Sequence, residues 1–185
     1  TANVFLFLLC TFIGESLYHA GDFSVMDLIQ SGEWYRIFTS MFLHVNIAHL
    51  VSNMLILYYI GNVVEKRIGH FPYLLLYFLA GSVGNIFSAG YELLTNRYVS
   101  SIGASGAVFG VEGALLMLAL IYRGKFAEVT AGRIAFSIVF SLYCGFTSSN
   151  VDNAAHVGGL LMGFLTAGII WLVTPEKKKE QKGRG

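Results

Sequence analysis

"SSIGASGAVFG", residues 100–110, opens the apolar run on which the reading of this chain turns. Small residues flank Ser105, and the run continues as a helix-length apolar stretch to Tyr122. A hydroxyl at the mouth of such a stretch is either a packing residue or a nucleophile, and the rest of the chain has to decide. Of 185 residues, 55% are hydrophobic and only 12% are charged. A soluble domain of this length needs far more polar surface, so composition points to a membrane protein.

Six apolar stretches come close to the roughly 20 residues a helix needs to cross a bilayer. They lie near 3–20, 42–62, 71–91, 104–122, 132–147 and 154–173, the fifth being the shortest. The first lacks a basic leading segment and a small-residue cleavage site, so it is expected to be a retained helix and not a signal peptide. Charge orients the spans. Lys66 and Arg67 follow the second, Arg123, Lys125 and Arg133 lie between the fourth and fifth, and Lys177, Lys178, Lys179, Lys182 and Arg184 follow the sixth. Only Arg36 and Arg97 remain for the opposite side. The positive-inside rule then predicts an all-α membrane protein with both termini cytoplasmic, in which spans two, four and six run from outside to inside.

Residues 1–173 are expected to form one membrane domain, and 174–185, which include "EKKKEQKGRG", a basic cytoplasmic tail that touches anionic lipid. Residues 21–41 read as an amphipathic outer connection, with Trp34 and Arg36 anchoring it in the interface. Pro72 opens the third span and Pro175 closes the sixth. Cys10 and Cys144 both fall inside spans and are expected to be buried thiols; they suggest neither a disulfide framework nor a metal site.

Polar groups inside a membrane are costly, so each asks for an explanation. "HVNIAHLVSN" places His44, His49 and Asn53 at the start of the second span, "GASG" places Ser105 at the start of the fourth, and "DNAAHVGG" places His156 at the start of the sixth. With the predicted orientation, His49, Asn53, Ser105 and His156 share one depth, a turn or two below the outer face. His49 and Asn53, four residues apart, lie on one helical face. Gly106 and Gly110 in the fourth span, and Gly159 and Gly163 in the sixth, have the GxxxG spacing that lets helices approach closely in lipid. If those faces meet, Ser105 is pressed towards His156. A serine beside an imidazole has the parts for nucleophilic catalysis, and a helix N-terminus offers N–H groups to a developing oxyanion.

"GASG", "AAHVGG", "HVNIAHLVSN", the outer "WYR" and "VEKRIG" resemble, in order and in matching spans, the motifs of the rhomboid family of intramembrane serine proteases. The likeness extends to about residue 173. It implies a six-helix rhomboid-like bundle and a Ser105–His156 dyad in a water-filled cavity open to the outer side. It also implies an oxyanion and substrate-binding set of the Ser105 N–H, His49, Asn53 and Gly103, with Phe109, Gly106 and Gly159 in support. Family members cleave single-span membrane proteins near the outer membrane boundary and use no metal, nucleotide or other cofactor. The implied setting is a multi-pass membrane protein, in the plasma membrane if the source is prokaryotic, with transmembrane proteins and the bilayer as partners and no nucleic acid.

Two residues depart from the pattern. Glu112 stands where an apolar residue is expected, and Phe109 stands where some relatives carry tyrosine beneath the catalytic histidine. Blander readings stand beside these. Ser105 alone is equally a small interface residue, and His49 and Asn53 alone are interhelical hydrogen-bond formers. His44 reads as a structural support for the outer loop. Asp152, four residues before His156, invites a triad but reads better as a loop or cap residue, and Glu65 and Arg67 as a cytoplasmic loop contact. Three functions follow: an intramembrane endopeptidase, a catalytically silent relative that binds transmembrane segments, and a transporter using buried His and Glu112. The third predicts ionisable groups spread through the membrane depth, whereas most cluster at one level. The fifth span and residues 147–153 are the expected gate and cap.

Overall fold

Small residues decide which helices of this chain touch. The computed structural model describes residues 2–122, 125–126, 129–148 and 151–175. The first apolar stretch is two helices, α1 (Ala2–Ile13) and α2 (Glu15–Gly21), separated at Gly14, whose φ of 95° no continuous helix accommodates. The expected unbroken span over 3–20 is corrected accordingly.

The outer connection then folds back on the bundle. Phe23, Val25, Leu28 and Ile37 are buried with Ala89 in a small apolar cluster, while Trp34 and Phe38 stay exposed. The short α3 (Arg36–Thr39) begins with a buried arginine, which corrects the expectation of an interfacial anchor. Its guanidinium donates to the carbonyls of His19 and Asp22 at 2.7 and 2.9 Å and to the carboxylates of Asp22 and Glu33. Nε and Nη1 both find acceptors there, two of them carboxylates, which is what makes burial of this charge tolerable.

The second apolar helix begins later than expected, because Asn46 caps it by accepting from the His49 N–H at 2.9 Å. It runs through α4 (Ile47–Ile56), a π-turn (Leu57–Gly61) and α5 (Asn62–Ile68), so the span lies at 47–68 and not 42–62, and His44 precedes it. Gly69, at φ 102°, makes the turn into α6 (His70–Thr95), and Pro72 sits in that helix's first turn. Glu65 and His70 pair across this turn, and Arg67 lies over the ring of Tyr122 at 4.9 Å.

Next come α7 (Ser105–Ile121), α8 (Ala131–Phe146) and α9 (Asn153–Val173). Between α7 and α8, β1 (Lys125–Phe126) pairs antiparallel with β2 (Val129–Thr130), a small addition to the expected all-α fold. Among the described residues, three helices, 47–68, 70–95 and 153–173, are long and apolar enough to cross a membrane, and α1, α7 and α8 are shorter apolar helices.

Twelve of the seventeen residues of α7 are buried, so it forms the centre, with α6 and α9 against it. Its seam with α9 is made by glycine. A Cβ on Gly159 would lie 2.0 Å from the Gly106 carbonyl oxygen, and one on Gly163 would lie 1.9 Å from that of Gly110. A Cβ on Gly110 would also lie 2.2 Å from that of Ala80 on α6. No side chain fits at those distances, so the two GxxxG faces meet as expected. Cys10 is buried, but Cys144 is exposed on the outer face of α8, correcting the expectation for the second thiol. The basic tail from residue 176 lies outside the described residues, as does most of the 147–153 expectation's centre, residues 149–150.

Candidate active site

Two helix N-termini converge at one end of this seam. Ser105 is the first residue of α7, and Ala104 before it supplies no capping side chain, so no side-chain oxygen occupies the first-turn N–H groups. His156 lies in the first turn of α9, which Asp152 caps by accepting from the Ala155 N–H at 2.9 Å. The glycine seam then fixes the gap between the two side chains. His156 Nε2 lies 2.9 Å from Ser105 Oγ.

The imidazole is held from below. Phe109, one turn along α7, stacks on it with centroids 4.3 Å apart and planes 19° from parallel. Phenylalanine supplies the stacking surface without a hydroxyl. Both rings are 8% exposed, so little water reaches the imidazole from beneath.

Gly103 forms the opposite wall. Its φ of 139° favours glycine, and a Cβ there would lie 2.6 Å from His49 Cε1 and 3.6 Å from Ser105 Oγ. His49, Gly103 and Ser105 therefore border one space. The Gly103 N–H donates to the Ser40 carbonyl at 2.9 Å, while Asn85 donates to Ser40 Oγ at 3.0 Å and to the Ile37 carbonyl at 2.8 Å. Thus α6 holds the segment that enters the site.

Asn53 lies one turn along α4 from His49; it is buried, and its Nδ2 has no hydrogen-bond partner among the described residues. That leaves an amide donor uncommitted. His44 is fully buried edge-on to His49, with ring centroids 5.1 Å apart, and its carbonyl accepts from the Tyr18 hydroxyl at 2.8 Å. The latter bond ties α2 to this corner, in keeping with a supporting role.

Asp152 does not complete a triad. Its carboxylate accepts from Ser88 Oγ, Ser101 Oγ and the Ala155 N–H, and His156 Nδ1 has no hydrogen-bond partner among the described residues. Glu112 is buried two turns along α7 from Ser105, with Oε2 unpartnered among the described residues, and belongs to the packed centre and not to the site. Sequence reasoning missed Ser88, Ser101, Asn85 and Ser40. The only signal was the cap pattern of Asp152, since their partners lie far away along the chain. No group of three or more His, Cys, Asp or Glu suited to a metal ion occurs among the described residues.

Comparison with known proteins gives this geometry a context. A family model for the Rhomboid domain matches residues 31–173. The chain is 43% identical over 146 residues to Rhomboid protease GluP of Bacillus subtilis (strain 168), covering 79% of this chain and 28% of that protein. It is 38% identical over 160 residues to RHOMBOID-like protein 1 of Arabidopsis thaliana, covering 84% and 39%. It is 33% identical over 137 residues to Putative rhomboid protease YdcA of Bacillus subtilis (strain 168), covering 74% and 67%. The chain thus spans well under half the length of the first two of these relatives.

Proposed function

The chain belongs to the rhomboid family, and from that premise we propose that it is an intramembrane serine endopeptidase acting through Ser105 and His156. The observation that carries the reading is the 2.9 Å approach of His156 Nε2 to Ser105 Oγ at two helix N-termini. In this reading His156 takes the hydroxyl proton as Ser105 attacks the scissile carbonyl. The oxyanion receives hydrogen bonds from the Ser105 N–H, His49 and Asn53, whose uncommitted Nδ2 suits the role. His156 returns its proton to the leaving amine, and water hydrolyses the acyl-enzyme. Gly103 leaves room for the substrate carbonyl beside His49, while Phe109, Gly106 and Gly159 keep the dyad in register.

The family and the apolar helices make this an integral membrane protein. Its finer topology is part of the proposal: six spans within residues 1–173, both termini and the 174–185 tail in the cytoplasm, and the site opening to the outer side. The distribution of Lys and Arg supports that orientation. The substrates would be single-span membrane proteins cut near the outer boundary, with no cofactor required. In a prokaryote the setting would be the plasma membrane. Names of relatives that include "protease" support the activity.

The test needs no known substrate. Detergent-purified protein is treated with a fluorophosphonate probe and the adduct mapped by mass spectrometry, beside Ser105→Ala and His156→Ala. Labelling at Ser105 that vanishes in both variants is expected. A folded protein that stays unlabelled in detergent and in liposomes would instead favour the silent, segment-binding relative.

A further inference from the structure

The chain segments entering α7 and α9 are joined one helical turn before the reacting side chains. Ser101 stands four residues before Ser105, and Asp152 stands four residues before His156. Ser101 Oγ donates to Asp152 Oδ2 at 2.7 Å, so the two approach segments are bonded to each other just as the dyad residues are. The same Oδ2 accepts from Ser88 Oγ of α6 at 2.6 Å, and Ser88 is 2% exposed. Oδ1 meanwhile accepts from the Ala155 N–H, and the Asp152 carbonyl accepts from the His156 N–H at 3.2 Å. One carboxylate thus bonds α6 and the segment entering α7 while remaining hydrogen-bonded to the helix that carries the imidazole. Bonds to an ionised acceptor are short and strong, and the helix N-terminus favours the negative charge.

The bond reaches further outward. Ser101 exchanges two backbone hydrogen bonds with Phe23, N–H to carbonyl at 2.8 Å and 2.9 Å in the two directions. Beside Phe23, Asp22 accepts from Ser100 Oγ and from Arg36. The folded outer connection is therefore continuous, through Ser101, with the N-terminus of α9.

We propose that Asp152 is a positioning residue, which through Ser101 and Ser88 sets the backbone entering α9 against the backbone entering α7 and so fixes the Ser105–His156 distance. It acts through His156 without touching the reacting atoms. The inference rests on the Ser–His reading above. Because His156 Nδ1 has no hydrogen-bond partner among the described residues, the position of the imidazole depends on Phe109, on the serine and on its own backbone. Control of that backbone is then control of the dyad.

The test separates this bond from simple helix capping. Asp152→Ser keeps a capping oxygen for the Ala155 N–H, since serine is a good cap, but it lacks the second oxygen and the reach to Ser101. Its fluorophosphonate labelling rate and its kcat on a membrane-embedded substrate should fall about tenfold with KM unchanged, the scale expected when a reacting pair shifts by less than an ångström. Thermal stability should stay within a few degrees of wild type. Ser101→Ala should act in the same direction, and the double variant should label no more slowly than Asp152→Ser alone, because the Ser101–Asp152 bond is already lost in Asp152→Ser. Wild-type labelling rates in Ser101→Ala would overturn the proposal, and that variant decides it even if Asp152→Ser fails to fold. An unlabelled wild type would overturn the peptidase reading and this one together, whereas a labelled wild type with indifferent variants overturns this one alone.

Discussion

Helices α7 and α8 are nearly the same length, seventeen and sixteen residues, and both are apolar. Twelve residues of α7 are buried, against three of α8: Ile134, Ile138 and Gly145. Composition explains the difference once the solvent is lipid. Hydrophobicity does not sort residues inward there, because lipid tails are as apolar as leucine; close packing does. Gly106, Gly110 and Gly113 let α7 press against α9, whereas α8 turns Phe136, Phe140, Tyr143 and Phe146 outward. The candidate nucleophile sits on the packed helix, and the expected gate is the loosely held one. An element that must move is drawn from the part with fewest buried contacts.

The sharpest way to break this contrast is to overfill the seam. Gly163→Val places a side chain where a Cβ already lies 1.9 Å from the Gly110 carbonyl oxygen. It should cost about 3 kcal/mol or more and abolish labelling of Ser105, read by thermal unfolding in detergent beside the probe assay. Retained stability would mean that α7 and α9 can separate without loss, and the contrast with α8 would fail. Next in size is a cysteine cross-link between α4 and α8. Cleavage of a membrane-embedded substrate should fall at least about tenfold, while the small probe still labels Ser105. Full cleavage with α8 tethered would remove it as the gate. A third pair compares stacking faces. Phe109→Leu should slow labelling about 2- to 10-fold, the value of a lost ring stack, whereas Phe140→Leu on α8 should leave labelling unchanged and stability within about 0.5 kcal/mol.

What the sequence disclosed follows the same division. Helix positions of α6, α7, α8 and α9 were legible to within a few residues, because apolar length and glycine spacing are local signals. The approach of Ser105 to His156 was legible too, since GxxxG faces and motif order constrain which helices meet. The start of the second span was not. "SMFLHVN" carries four apolar residues in seven and so runs on into the apolar pattern of the helix it precedes, where the Asn46 cap marks the boundary. Nor was the burial of Arg36 legible, because its partners His19 and Asp22 lie 17 and 14 residues away, at the C-terminal end of α2. The Asp152 bonds to Ser101 and Ser88 span 51 and 64 residues. Local pattern announced the cap and gave no sign of what else the carboxylate would hold.

The smallest effect lies in the outer connection, which is polar where α7 is apolar and so responds to acid where the seam does not. The hydrogen bond from Arg36 holds the Glu33 carboxyl below its ordinary value. A depressed carboxylate contributes stability that is fully present above its unfolded value, about 4.3, and that is lost as pH falls through the lower folded one. The His19 and Asp22 carbonyls, which do not titrate, remain bonded to the same guanidinium, so the loop should loosen locally without unfolding. Trp34, adjacent to Glu33 and 64% exposed, reports on it. Its fluorescence should change as pH drops below about 4.3 in wild type, and Glu33→Gln should remove that step while leaving the unfolding temperature at neutral pH nearly unchanged. The same step in both proteins would assign it to other carboxylates. No step in either would mean that Asp22 and the two carbonyls hold Arg36 unaided, and the outer connection would then be as indifferent to Glu33 as the seam of α7 is to acid.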